Sequence, residues 1–157
     1  MYSGKENYEF NYKEEMRLSN FTDYSLRVLI YLALKGDKLS TVAEIAESYK
    51  ISKNHLVKVV HNLSKLGVIE SFKGKGGGLR LKIDPKALNI GKLVRDLEND
   101  TKLVECFSDE GECQINGACK LKAALKKAQN SFYLTLEEYY LSDVVSNKSG
   151  LSDALSL

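Results

Sequence analysis

The feature that most restricts the fold is a change of hydrophobic period at Gly67. Before it, apolar residues recur at helical spacing in two short runs: Val42, Ile45, Ala46 and Tyr49, then Leu56, Val59, Val60 and Leu63. Thr41 and Glu44 form a Thr-x-x-Glu capping box ahead of the first run, and Ser52 is placed to cap the second. Lys50-Ile51-Ser52 joins them, which is helix-turn-helix spacing. After Gly67 the period shortens. Val68 to Phe72 and Leu79 to Ile83 read as strands about a flexible tip, Gly74-Lys75-Gly76-Gly77-Gly78. A hairpin directly after a recognition helix is a wing, so the expected fold is mainly α with a small β-hairpin: a winged helix-turn-helix DNA-binding domain.

Further helices flank this unit. Upstream, Thr22 is an N-cap candidate for a helix bearing Leu26, Leu29, Ile30 and Ala33, ended by Gly36-Asp37. Downstream, Pro85 marks a boundary and Asn89 caps a short helix with Ile90, Leu93, Val94 and Leu97. From Leu121, the residues Leu125, Ala128, Phe132, Leu136 and Tyr139 extend one apolar stripe, read as a long dimerisation helix that makes a homodimer. The expected division is an extension over 1–15, disordered or added ahead of a start at Met16, a winged-helix domain over 16–84, a helix, cysteine loop and dimerisation helix over 85–147, and a flexible tail over 148–157.

The net charge of +2 hides a segregation of sign. Residues 50–82 carry eight lysines and arginines against Glu70 alone, whereas 95–112 carry seven acids against Arg95 and Lys102. The first segment favours phosphate and the second repels it. Ser52, Lys53, Asn54, His55 and Lys58 lie where a recognition helix enters the major groove, with Asn54 suited to an adenine edge and Ser52 and Lys53 to phosphate. On the wing, Lys73, Lys75 and Arg80 face the minor groove, and Gly76 and Gly77 let the backbone approach closely. Arg17 completes the expected DNA-binding set, and His61 is read as a surface residue without a role. The Gly-Lys cluster lacks the spacing of a nucleotide phosphate loop.

Other classes fit poorly. The apolar run Val28 to Leu34 is too short to span a bilayer, and the first residues hold no apolar signal core, so the expected location is the cytoplasm. Both histidines lie on the second helix and no nucleophile-base spacing stands out, so no enzyme is expected.

All three cysteines, Cys106, Cys113 and Cys119, lie within fourteen residues. Three thiols cannot all pair within one chain, and reduced thiols are available to metals. The spacing matches neither zinc hooks nor bacterial ferredoxins, so by itself it leaves an iron-sulfur cluster, zinc and redox-switching thiols open. An electron carrier on an acidic loop is a further reading, but it leaves the basic segment unexplained.

Taken together, R-L-S-N-F-T-D-Y-S-L-R at 17–27, S-K-N-H-L-V-K-V-V at 52–60, G-K-G-G-G-L-R-L at 74–81, I-G-K-L-V-R-D-L-E at 90–98 and the cysteines resemble the winged-helix iron-sulfur regulators, the family of the nitric-oxide-sensing NsrR repressors and of IscR. The resemblance spans nearly all of 16–147. It implies a homodimeric repressor on a palindromic double-stranded DNA operator, with nitric oxide as effector and a 4Fe-4S cluster on Cys106, Cys113 and Cys119. Its fourth ligand in the NsrR group is an aspartate from the partner subunit, which maps to Asp23, with Arg27 one turn on to steer it. IscR-type members carry a histidine three residues after the last cysteine. Lys122 stands there, which disfavours a 2Fe-2S site of that type. The alternatives are an IscR-like regulator sensing iron-sulfur or redox status and a zinc-stabilised winged-helix regulator.

Overall fold

A computed structural model describes residues 17–99, 102–107 and 113–157, apart from the side chain of Glu105. The expected extension over 1–15 and the middle of the cysteine loop lie outside the described residues. Helix α1 spans Asn20–Lys35, α2 Val42–Tyr49 and α3 Lys53–Lys65, followed by strands β1, Ile69–Phe72, and β2, Gly78–Leu81. Then come α4, Ile90–Leu97, a 3-10 turn at Glu105–Phe107, α5, Lys120–Leu136, α6, Leu141–Val144, and α7, Lys148–Leu155.

Helix α1 is the centre of the fold. Val28, Leu29 and Leu32 are fully buried, and Tyr31 and Ala33 nearly so, because α2, α3, β2, α4, α6 and α7 all pack on it. Its cap is Ser19 and not Thr22: the Ser19 hydroxyl accepts from the Thr22 amide at 3.2 Å. Thr22 is itself fully buried inside the first turn. The choice is made from a distance, since the buried Glu98 accepts from both the amide and the hydroxyl of Ser19, at 2.9 and 2.8 Å.

The helix-turn-helix forms as its pattern predicts. Thr41 and Glu44 close the capping box, and α2 ends on Lys50, which is left-handed at φ 54°. Leu56, Val59, Val60 and Leu63 turn the apolar face of α3 into the core; fully burying such side chains contributes roughly 1.5–3 kcal/mol each. Strands β1 and β2 pair antiparallel with Ile69 opposite Leu81 and Phe72 opposite Gly78. Ser40 extends the wing through a two-way backbone bridge to Leu79, at 3.0 and 2.7 Å.

Two expectations about the C-terminal part need correction. The apolar stripe of α5 stops at Leu136 instead of running through Tyr139, because the chain turns there and pairs back: Ile90 donates to the Tyr139 carbonyl and Leu141 to that of Leu88, both at 2.9 Å. Residues 148–157, expected as a flexible tail, include α7, whose Leu151 and Leu155 pack against the core.

Candidate functional site: a nucleic-acid face and a cysteine loop

The face of α3 opposite its buried stripe carries Asn54, Lys58 and His61, all exposed, with Lys53 and His55 exposed beside them in the first turn. Ser52 is the N-cap residue, but its side chain makes no capping bond. Its hydroxyl is therefore available to a phosphate at the positive end of the helix. His55 is not isolated. Tyr24 of α1 stacks on it with ring centroids 6.2 Å apart and planes 26° apart.

On the wing, Gly74 and Gly76 adopt φ of 94° and 82°, and a Cβ on Gly77 would collide with the Phe72 carbonyl. The turn itself thus requires these glycines, before any approach to DNA is considered. Lys73 and Lys75 are exposed at the tip. Arg80 is engaged inside the hairpin, donating to Glu70 at 2.6 Å with its guanidinium 4.9 Å over the Phe72 ring. It braces the wing through its Nε alone, and with the side chain 40% exposed its other guanidinium donors remain available. Arg17 lies exposed just ahead of the α1 cap.

Asp23 and Arg27 pair as their spacing predicts, with two contacts at 3.1 and 2.9 Å. Both side chains remain about two-fifths exposed. The Arg27 guanidinium also lies 5.8 Å from the Tyr49 ring centre. Burial is the main reason the Tyr49 hydroxyl is pushed up to about 12, so the ring stays neutral beside the cation.

The three cysteines are free thiols: Cys106 in the 3-10 turn and partly buried, Cys113 exposed, and Cys119 partly buried as the N-cap residue of α5. Among the described residues no three cysteine, histidine or acidic side chains form a metal-binding group. The structure therefore does not bring Asp23 and the three thiols together within one chain. The donor set nevertheless fits an iron-sulfur cluster in kind, with three soft thiolates and no disulfide to break. A cleft of about 420 Å³ beside Cys106 is lined by Arg95, Lys102, Lys122 and Lys126 against Glu98, a net positive lining of the sign an anionic cluster requires. Lys122, at the IscR histidine position, donates to Asn116 at 2.6 Å.

Sequence reasoning missed Glu98 and Tyr133. Glu98 caps the C-terminal end of α4, eight residues before Cys106, and anchors the start of α1. Tyr133 of α5 lies beneath Arg95 at 4.6 Å, and its hydroxyl is held above the usual range by burial first and by Glu98 second. The I-G-K-L-V-R-D-L-E segment carried Glu98 in plain sight, but its partner is 79 residues away.

A winged helix-turn-helix with an outward cationic helix and a three-thiol loop is the architecture of a DNA-binding transcriptional regulator. A family model described as Rrf2, iron-dependent transcriptional regulator, matches residues 18–147. The chain belongs to the Rrf2 family. It is 46% identical over 144 residues to the HTH-type transcriptional regulator NsrR of Bacillus subtilis (strain 168), covering 90% of this chain and 99% of the relative. It is 48% identical over 138 residues to the NsrR of Shouchella clausii (strain KSM-K16), covering 87% and 93%. Among solved structures it resembles CymR, the global cysteine regulator of B. subtilis, at TM-score 0.63 and 27% identity, over 85% of this chain and 98% of that one. T. potens IscR matches at TM-score 0.67 and 22% identity, over 84% and 88%, which supports the fold. No helix among the described residues is long and apolar enough to cross a membrane.

Proposed function

We propose that the chain is a repressor that senses nitric oxide through a 4Fe-4S cluster held by Cys106, Cys113, Cys119 and the partner subunit's Asp23 in a homodimer bound to a palindromic operator. The observation that carries this reading is the double engagement of the first turns of α1. They present the Asp23–Arg27 pair to solvent, and the next residue, Tyr24, stacks on His55 in the first turn of the recognition helix. The NsrR relatives and the iron-dependent description of the family point the same way.

When bound, such a cluster supplies an iron held by a carboxylate oxygen instead of a thiolate, the weaker position at which nitric oxide can bind. With a cluster bound, Asp23 would have a second partner across the dimer besides Arg27 on its own helix; without it the carboxylate would keep only the Arg27 pair, and the α1 turn would no longer be tied to the opposite cysteine loop. Tyr24 transmits that freedom to His55, while the Ser19–Glu98 bonds couple the same turn to the end of α4. Two recognition helices set for half-sites one DNA turn apart then lose their spacing. An affinity loss of about a hundredfold, roughly 3 kcal/mol, lies within ordinary allosteric coupling. The unburied N-terminal half of α5, with Leu121 63% exposed, is the surface for the second copy.

Anaerobically purified protein tests this directly. Iron and sulfide in 4Fe-4S proportion, with a brown cluster spectrum lost in Cys106→Ala, are expected. A colourless zinc protein, or a Cys106→Ala protein with undiminished iron, contradicts the reading.

A further inference from the structure

The outward face of α3 is not wholly polar. Asn54, Val57, Lys58 and His61 follow the i, i+3, i+4, i+7 pattern of one helix face, and all four are exposed, opposite buried Leu56, Val59, Val60 and Leu63. Val57 is 50% exposed in the middle of that face, between a side chain suited to adenine and a lysine suited to phosphate. The core makes little use of it, since the apolar stripe of α3 is complete without it.

The geometry points to Val57 as a specificity-determining residue that reads the C5 methyl of a thymine in the major groove. This rests on α3 being the DNA-reading helix. A β-branched side chain is stiff at χ1, so it presents its methyl groups in one orientation at little entropic cost. In the major groove the thymine methyl is the one apolar mark a base pair displays, and small apolar side chains are its natural contacts. Asn54 precedes Val57 by three residues, about 4.5 Å along the helix axis, slightly more than one base-pair step of about 3.4 Å. The two side chains thus address neighbouring base pairs: an adenine read by Asn54 and, one step away, a thymine read by Val57.

Operator half-sites are first obtained by selecting purified anaerobic protein on random duplexes. Each thymine of the selected half-site is then replaced by uracil, which removes only the methyl, and affinity is measured by fluorescence anisotropy. Wild-type protein is expected to lose about fourfold in affinity per half-site at one thymine position, the worth of one buried methyl. Val57→Ala should bind the thymine site less tightly by a similar factor and be indifferent to uracil there. Lys58→Ala should weaken both duplexes equally. A wild-type protein insensitive to uracil everywhere, or a Val57→Ala protein with undiminished uracil sensitivity, overturns the assignment while leaving DNA binding by α3 intact. Failure of the wild type to select any sequence overturns the placement of α3 on DNA, and this inference with it.

Discussion

At the scale of single residues, the pair with most consequence is Asp23 and Arg27. An ion pair this exposed stabilises the fold by only about 0.3–0.5 kcal/mol, so Asp23→Ala should scarcely move the thermal midpoint. The same substitution should leave iron bound by the three cysteines but change the absorption spectrum and the response to nitric oxide. An unchanged spectrum and response would remove Asp23 from the ligand set. Glu44 makes a second prediction. Its bonds from the Thr41 amide and hydroxyl hold its carboxyl below the ordinary 4.5, so its stabilising effect is present above that value and is lost as pH falls through the lower folded one. Glu44→Gln should therefore cost no more than about 0.5 kcal/mol at pH 7, since the site is solvated, and in paired denaturation curves the difference from wild type should shrink as pH falls below the ordinary 4.5 and through the lower folded value. The Asp23–Arg27 pair and the Thr41–Glu44 box were legible in the sequence because both are local, at spacings of four and three. The Ser19 cap was not, because Thr22 offers the same chemistry and the preference is set by Glu98 from the far side of the fold.

At the scale of elements, the two helices and hairpin of the winged unit follow from hydrophobic period, the Thr41–Glu44 box and the turn glycines, since each buries one face against α1 although Ser52 makes no capping bond. The C-terminal elements were harder to read. The stripe from Leu121 to Tyr139 satisfies helical spacing throughout, yet its second half packs on its own chain through Phe132, Tyr133 and Leu136, while Leu121 and Ala128 stay exposed. Periodicity shows that a face is apolar; it does not say which surface covers it. Gly91 marks where α4 and the end of α5 meet, because a Cβ there would fall on the backbone of Glu137. Gly91→Ala should destabilise the protein by about 1–3 kcal/mol, seen as a thermal midpoint lowered by several degrees. A midpoint equal to wild type would mean that α4 and α5 are free to separate. The spacing of the three thiols left a cluster, zinc and redox-switching thiols open, and the proposed role of Asp23 rests on the resemblance, because no spacing within one chain relates Asp23 to Cys106.

At the scale of the whole molecule, α1 is the element that faces both ways: Tyr24 stacks on His55 of α3, Ser19 just ahead of α1 is bonded to Glu98 at the end of α4, and the partly exposed Asp23 pairs with Arg27 on the same helix. Under the proposed function, a chain so arranged would convert loss of one weak ligand into a change at DNA once a second copy supplies the other half. The most direct measurement is anaerobic titration of the selected operator with cluster-loaded protein before and after stoichiometric nitric oxide. A dissociation constant raised by about a hundredfold, with no such change for Cys106→Ala protein, is the predicted result. Equal affinity before and after nitric oxide, in protein whose spectrum shows that the cluster has reacted, would contradict the account.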